Sequence, residues 1–336
     1  MLENAAYLRN STEMSTDPLS DILKLANAES LVTGEFTAGG SWAIRFPVPT
    51  RIKFFAVVRG QCWVTIDGEK EPIRFTNGDV GLMTAPRSFV LGSEPGIVPA
   101  DAMELFSRAG KSTAQIGDGN DFAQIGGHVL LDSVSGPLLA NVLPPWIRVD
   151  AKRTEATVFR WLLGQLVEER KDDQPGAQLA SAHLAQLLFI QILRAHMETA
   201  DGMSPGWFRA MSDRRLAPAL ALMHGEPAHS WHLDELAEVC AMSRTTFALR
   251  FRTAAGVAPL TYLAEWRMRL AERALRDGTS PIAVIAQSVG YASESAFSNA
   301  FKRMTGSSPR EFRHVTRSSD VGIAVEEDEA FALRAE

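Results

Sequence analysis

The stretch Ile282–Pro309, IAVIAQSVGYASESAFSNAFKRMTGSSP, decides the fold of the C-terminal third of this 336-residue chain, because an earlier stretch resembles it. The earlier copy, LDELAEVCAMSRTTFALRFRTAAGVAP, runs from Leu233 to Pro259. Two phenylalanines, a glycine and a proline recur at an offset of 50 residues: Phe247, Phe251, Gly256 and Pro259, then Phe297, Phe301, Gly306 and Pro309. Leu236-Ala237 recurs as Ile285-Ala286 at an offset of 49, so the second copy has a turn one residue longer.

Each copy predicts a helix, a short turn and a second helix. Ser243 and Ser293 are N-cap candidates for the second helices, because a serine hydroxyl accepts a hydrogen bond from a free backbone N–H there. Gly290 suits the turn, where glycine adopts a positive φ without strain. Two such helix-turn-helix units indicate a DNA-binding module in which each second helix lies in a major groove.

The segment between the copies predicts one long helix. Residues Thr261–Gly278, TYLAEWRMRLAERALRDG, carry a stripe of apolar side chains and end at a glycine. A helix of this length holds two helix-turn-helix units apart, so that their recognition helices can enter successive grooves about 34 Å apart. The alternative interpretation, a helical bundle made by duplication, leaves the polar and basic residues of the second helices unexplained.

Those polar and basic residues are our candidate DNA contacts. Small polar side chains can bond base edges, and arginine or lysine can bind phosphates. In the first unit the candidates are Arg244, Thr245, Ala248, Leu249, Arg250 and Arg252, and in the second they are Ser293, Glu294, Ser295, Ser298, Asn299, Lys302 and Arg303.

Composition agrees with a globular protein and excludes several other classes. Hydrophobic residues make up 46 % and charged residues 22 % of the chain, which is unlike a disordered, collagen-like or membrane protein. Two cysteines suit a reducing compartment, and the N-terminus has no secretory pattern, so we expect a cytoplasmic protein. The net charge of −6 taken alone argues against a nucleic-acid partner, but residues 211–317 carry a net charge of +4.

The N-terminal half predicts β-structure followed by helices. Short apolar runs between about 31 and 100 are separated by turn signals, which favours an antiparallel barrel or sandwich. Arg59-Gly60 joins the first two runs and predicts a β-hairpin. From about 151 the pattern becomes helical, with Val158 predicted on the apolar face of the first helix. A second helix at 181–197 is expected to cover the barrel.

At these residues the chain resembles the AraC/XylS family of bacterial transcriptional regulators. The resemblance covers about 211–316 and is most specific over IAQSVGYASESAFSNAFKRMTGSSPREFR. The N-terminal region also resembles the cupin-type sensor of one branch of the family, at PLSDILKL, WAIRFP, VVRGQCWVTIDG, the NGD turn and Leu143-Pro144. Many members have a base-reading arginine on each recognition helix where this chain has Leu249 and Asn299. Base readout in the first unit is therefore expected to depend on Arg244 and Thr245.

The resemblance implies an α+β multidomain fold: an N-terminal cupin-like β-barrel, a helical linker and a C-terminal all-α double helix-turn-helix. The expected domains are a sensor at 18–150, linker or dimerisation helices at 151–204, a DNA-binding domain at 211–316 and an acidic, disordered tail at 318–336. Translation from Met14 rather than Met1 is an open alternative.

The predicted barrel lacks the ligands of an enzymatic cupin. The metal-binding HxH of enzymatic cupins would fall near Pro47 and Pro49, and their third histidine would fall near Phe89. His128 is the only histidine before residue 183. We therefore expect no metal, no cofactor and no catalysis, because a transition-metal site needs converging imidazole and carboxylate ligands. A barrel can still hold one small molecule. The candidate lining residues are Trp42, Arg45, Phe55, Trp63 and Arg87.

The sequence thus predicts a transcription regulator that binds promoter DNA under the control of a small-molecule effector. The expected partners are double-stranded DNA, that effector, a second copy of the chain and, for an activator, RNA polymerase, with no membrane. Two alternatives stay open. The cupin-like domain of a constitutive regulator would only dimerise, and a cupin-class enzyme would bind a metal. The effector, the target genes and the sign of regulation are not encoded in any motif.

Overall fold

The computed structural model of the chain describes residues 17–109, 113–117, 119–151, 156–171, 174–199 and 203–316. They form two compact units, one combining residues up to Leu25 with those from Pro205 onward, the other spanning Ala26–Ser204. The predicted disordered tail at 318–336 and the alternative start at Met14 lie outside the described residues.

Two β-sheets build the Ala26–Ser204 unit. The strands are β1 (Glu29–Ala38), β2 (Ala43–Phe46), β3 (Ile52–Arg59), β4 (Gln61–Ile66), β5 (Ile73–Thr76), β6 (Val80–Met83), β7 (Phe89–Gly92), β8 (Ala100–Asp101), β9 (Thr113–Ile116), β10 (Phe122–Leu130) and β11 (Trp146–Val149). One sheet has the order β11-β6-β3-β10-β1-β9 and the other has the order β5-β4-β7-β2-β8.

The predicted α+β fold is confirmed, but the β-rich part is not a closed barrel. Each sheet has two edge strands among the described residues, and the pairing is mixed rather than purely antiparallel. β9 runs parallel to β1, and β8 runs parallel to β2. Alternating apolar residues show which strands have one buried face, but they carry no information on which strands close a circle.

The predicted hairpin at Arg59-Gly60 is wrong, because β3 and β4 belong to different sheets. β3 pairs with β10 and β6, whereas β4 pairs with β5 and β7. Gly60 has a φ of +78°, and a Cβ there would lie 2.2 Å from the backbone oxygen of Asp121. The glycine therefore marks a corner where the chain passes from one sheet to the other.

Large aromatic side chains contribute much of the core between the sheets. The Trp42 and Phe122 rings lie 4.7 Å apart, and Phe46 stacks on Phe89 with 4.9 Å between centroids. Alternation is regular in β4, where Cys62, Val64 and Ile66 point into the core.

Four helices among the described residues complete this unit: α2 (Ala102–Ala109), α3 (Gly136–Ala140), α4 (Ala156–Lys171) and α5 (Ala177–Met197). α5 packs against β1 and β11 and so covers part of the six-stranded sheet, while α4 packs against α5. The sequence placed Val158 on the buried face of α4, but Phe159 is buried and Val158 is exposed. The burial pattern follows the packing partner, which a single helix does not reveal.

In the other unit, all regular secondary structure of the described residues is helical. Its helices are α1 (Pro18–Leu25), α6 (Trp207–Ser212), α7 (Ala217–Gly225), α8 (Leu233–Val239), α9 (Arg244–Ala255), α10 (Pro259–Asp277), α11 (Ile282–Ser288), α12 (Glu294–Thr305) and α13 (309–316). Two hydrophobic clusters hold it together, one centred on Phe247 and Phe251 and the other on Phe297 and Phe301.

Helix α1 packs against α7 of the helical unit, although the sequence grouped its residues with the sensor. His224 on α7 is fully buried, with Nε2 2.7 Å from the Tyr262 hydroxyl and Nδ1 3.5 Å from a carboxylate oxygen of Asp21 on α1. Desolvation lowers the pKa of His224 despite the carboxylate, so the neutral ring is favoured. A buried polar contact between residues 203 positions apart has no local sequence signal.

Candidate nucleic-acid interface

The first helix-turn-helix unit consists of α8 and α9. The Ser243 hydroxyl accepts a hydrogen bond from the Thr246 N–H at 3.2 Å, which caps α9. The helix ends at Gly256, whose φ of +79° is the left-handed conformation that commonly terminates helices. Phe247 and Phe251 are completely buried. Both ends and the buried face of α9 are thus held in place, so the orientation of its exposed face is fixed as well.

The second unit, α11 and α12, has the same frame. Ser293 accepts a hydrogen bond from the Ala296 N–H at 3.2 Å, and Gly306 ends the helix with a φ of +84°. Phe297 and Phe301 are completely buried. The predicted N-caps, core pairs and terminal glycines therefore occupy equivalent positions in both units.

The turns of the two units differ. Ala241 has a φ of +51° in the first turn, where Gly290 has a φ of +81° in the second. A Cβ on Gly290 would lie 2.6 Å from the backbone oxygen of Ala228, which is closer than side chains tolerate. Glycine is therefore required at 290 for both space and conformation, whereas Ala241 bears the strain of a left-handed backbone.

Helix α10 joins the two units. Tyr262 and Leu263 in its first half are buried in the first cluster, and Met268 and Leu275 in its second half are buried in the second. A helix of 19 residues is roughly 28 Å long at 1.5 Å per residue. One rigid element thus contributes to both cores, as the sequence predicted for the segment between the repeats.

The candidate DNA contacts lie outside the buried faces of α9 and α12, and Ser293 is the N-cap of α12. Exposed candidates are Arg244, Thr245, Leu249 and Arg252 in the first unit and Ser293, Ser295, Asn299, Lys302 and Arg303 in the second. Half-buried candidates are Ala248, Arg250, Glu294 and Ser298. Leu249 leaves 68 % of its surface in solvent, so this apolar side chain has no role in the fold core.

Arg250 is already engaged within the fold. Its guanidinium binds both carboxylate oxygens of Asp213 through Nε at 2.6 Å and Nη2 at 3.0 Å. This two-point contact raises the pKa of Arg250. The equivalent residue of the second unit is Ala300, so Arg250 anchors α9 to the loop after α6 in a way that α12 lacks. Sequence spacing gives no indication of that partner.

Opposite charges stand at the first position of the two recognition helices. Arg244 lies 3.7 Å from the Asp234 carboxylate, and Glu294 lies 3.8 Å from Arg310. Both contacts are exposed, and exposed ion pairs contribute little and rearrange readily. Both side chains can therefore exchange their present partners for a ligand. The first unit would offer that ligand a positive charge, and the second unit would offer it a negative charge.

The five candidate effector contacts do not converge. Trp42 and Phe55 are buried between the sheets, whereas Arg45 is exposed and Trp63 half-buried on strands whose alternate residues form the core. Arg87 is paired with Glu69 at 2.9 Å. Within the part of the chain that the structure describes, no group of three histidine, cysteine or acidic side chains is placed to hold a metal ion.

Similar proteins are known for both parts of the chain. A family model described as Cupin matches residues 17–198, and one described as Helix-turn-helix domain matches residues 236–314. Proteins described as AraC-like transcription regulators from Streptomyces antibioticus and Streptomyces lividans are each 41 % identical over 88 % of this chain and 98 % of their own length. The solved DNA-binding domain of AdpA, in complex with a target DNA, shares 32 % identity over 31 % of this chain and 95 % of that chain, with a TM-score of 0.30.

Two helix-turn-helix units on a shared helix define a DNA-binding protein that regulates transcription. The chain belongs to the AraC family of transcription regulators, in the form that carries an N-terminal cupin domain. Among the described helices, none has the length and apolar character needed to cross a membrane.

Proposed function

We propose that the regulator reads a two-part promoter site with α9 and α12 and that its cupin domain makes this binding depend on a small-molecule effector. The observation that carries the proposal is the pair of equivalent helices. Each is capped by a serine, packed through two phenylalanines and ended by a glycine, while its free face carries different side chains. A common frame with divergent free faces suits a protein that contacts two different base sequences.

We assign separate roles to the residues on the exposed faces of α9 and α12. Asn299 would bond adenine, which an amide recognises through two hydrogen bonds, and Leu249 would contact the methyl group of thymine. Arg244, Thr245, Ser295 and Ser298 are further base-contact candidates. Arg252, Lys302 and Arg303 lie near the ends of the helices, where basic side chains neutralise phosphates.

Charge segregation supports selective binding. Residues 211–317 carry a net charge of +4, and the rest of the chain is acidic, to give −6 overall. Non-specific affinity for DNA depends on phosphate neutralisation and is weakened by acidic surroundings. Occupancy should therefore depend on base contacts and on pairing of two copies.

Effector control would act through the connections between the units. The chain passes between them at Leu25–Ala26 and at Ser204–Pro205. An effector that binds one conformation of the cupin domain more tightly increases the population of that conformation. The change in conformation would then alter the position of the chain at both connections. Such a regulator needs neither a metal nor catalysis, and its place of action is the cytoplasm, with RNA polymerase as partner if it activates transcription.

Exposed apolar side chains support a homodimer. Trp161 leaves 56 % of its surface exposed on α4, and Leu179 leaves 64 % exposed on α5. Large apolar groups in solvent commonly mark interaction sites. A dimer would present four recognition helices and increase the apparent affinity for paired sites.

The test is binding of the full chain to chromosomal fragments at several salt concentrations. We expect selective retention of a few promoter fragments, with affinity falling steeply as salt increases. Equal retention of all fragments, or affinity independent of salt, would contradict the proposal. Metal analysis and effector-dependent binding separate the alternatives: stoichiometric iron, zinc or manganese would indicate an enzyme, and no effect of any metabolite on DNA affinity would indicate a constitutive regulator.

A further inference from the structure

One row of paired residues crosses four strands of the six-stranded sheet in the Ala26–Ser204 unit. Trp146 pairs with Met83, Met83 pairs with Lys53, and Lys53 pairs with His128 on successive antiparallel strands. Directly opposed residues of an antiparallel pair point to the same side of the sheet. Met83 belongs to the core between the sheets and Trp146 packs against it, so Lys53 and His128 also face that interior.

Lys53 places a positive charge against aromatic rings. Its Nζ lies 4.2 Å from the centroid of Phe46 and 5.6 Å from that of Phe89, which stack on each other. Burial lowers the pKa of the ammonium to about 8. No carboxylate among the described residues pairs with Lys53. The ring faces attract the charge, but they accept none of its three N–H bonds conventionally.

His128 adds an unsatisfied donor or acceptor beside this charge. Its Nδ1 is buried and has no hydrogen-bond partner among the described residues. Desolvation lowers the pKa of His128, and the charges of Lys53 and Arg51 lower it further. The positive charges of Lys53 and Arg51 therefore both act on the His128 ring.

This arrangement is costly unless an anion completes it. A buried polar atom without a partner destabilises the folded state, and a charge withdrawn from water without a counter-ion destabilises it more. A single carboxylate would supply one negative charge for Lys53 and an acceptor for a neutral His128 N–H. Phe46, Phe89, Met83 and Trp146 would contact an apolar body attached to it. A phosphate carries more negative charge than one buried ammonium compensates.

We propose that the Lys53–His128 row is the effector site and that its ligand is a small monocarboxylate with an aromatic or aliphatic body. This proposal rests on the proposed function, because it gives the sensor a ligand class. It replaces the five lining residues expected from the sequence with Lys53, His128, Phe46 and Phe89 as the primary contacts. Arg51, exposed just before β3, would attract the anion to the site.

The test uses the full chain at pH 7 with benzoate, phenylacetate and octanoate as probes, each matched with its uncharged amide. Calorimetry should detect binding of at least one carboxylate, with its amide at least tenfold weaker. Lys53→Met removes the charge at similar length and should weaken binding at least tenfold, while Lys53→Arg should retain it. Lys70→Met at an exposed turn position is the matched control and should bind as the original protein does.

A second readout locates the site without relying on a variant that folds. A brief pulse of an N-hydroxysuccinimidyl acetate should acylate Lys53, and the carboxylate that binds should protect it, as measured by peptide mass spectrometry. Absence of binding by all three carboxylates, binding equal to that of the amides, or binding without protection of Lys53 would overturn the proposal. Promoter binding is measured on the same preparations without probe. Its loss alone would reject the proposed function, and its presence without carboxylate binding would reject only this site.

Discussion

The two helix-turn-helix units differ where they face solvent and agree where they face the core. Both recognition helices begin at a capping serine, bury a phenylalanine pair and end at a left-handed glycine. Arg244 and Leu249 of the first unit correspond to Glu294 and Asn299 of the second. Duplication therefore preserved the frame that orients each helix, while the residues available for bases changed in size, polarity and charge.

A second difference concerns how each unit is anchored. The first depends on the Arg250–Asp213 contact and accepts a strained Ala241, whereas the second has Ala300 and an unstrained Gly290. Equivalent folds therefore need not have equivalent weak points.

Removal of a core phenylalanine should disrupt one unit and spare the other. Phe297→Ala leaves a cavity in the second cluster and should destabilise it by about 3–5 kcal/mol. Hydrogen exchange should show lost amide protection in α11, α12 and the second half of α10, with α8 and α9 unchanged. Phe247→Ala is the matched variant and should give the reverse pattern. Equal loss of protection in both units after either change would show that they form one cooperative core.

The turn residues should respond in opposite directions. Gly290→Ala introduces a Cβ 2.6 Å from the Ala228 oxygen and a strained φ, and should destabilise the second unit by roughly 2–4 kcal/mol. Ala241→Gly relieves strain and should stabilise the first unit by about 0.5–1 kcal/mol. Protection of α11–α12 and of α8–α9 measures the two effects. Equal and small changes for both variants would mean that the turns are equivalent after all.

The capping serines should contribute unequally. Ser293→Ala should cost about 1 kcal/mol, the usual value for an N-cap. The Ser243 hydroxyl also lies 2.8 Å from that of Thr246, a contact that Ala296 cannot make in the second unit, so Ser243→Ala should cost about 1–2 kcal/mol. Exchange rates in the first turns of α9 and α12 report the costs. A greater loss from Ser293→Ala would refute this ranking.

Basic residues should separate into phosphate contacts and anchors. Arg252→Ala and Lys302→Ala should each reduce the slope of log affinity against log salt by about 1, because each removes one phosphate contact. Arg250→Ala should leave that slope unchanged and instead reduce protection of α9, since its guanidinium is held by Asp213. Filter binding from low to moderate salt provides the measurement. A reduced slope for Arg250→Ala would reassign it to the DNA surface.

The sequence was informative where the determinants are local. In each unit the serine cap, the phenylalanine pair and the terminal glycine lie within 13 positions of one another, and the repeat provides each signal twice. The long helix α10 was equally clear, because its apolar stripe must contact both units. These features predicted the DNA-binding unit and the faces that are free in it.

The sequence was less informative where partners are distant. The turn at Gly60 predicts a hairpin between β3 and β4. The actual partner of β3 is β10, which lies some 70 positions later in the chain. The Arg250–Asp213 contact, the docking of α1 on α7 and the Lys53–His128 row all arise from long-range packing. Side-chain alternation predicts which face of a strand is buried, but not which strand lies beside it.

The most direct test of the central claim is selection of binding sites from random DNA by the original protein, Leu249→Ala and Asn299→Ala. We predict a site with two separate preferred segments. Leu249→Ala should relax one segment and Asn299→Ala the other, each by about 1–3 kcal/mol at a single base position. A variant that leaves both segments unchanged, or that relaxes both equally, would contradict the claim that the two helices read different bases through these faces.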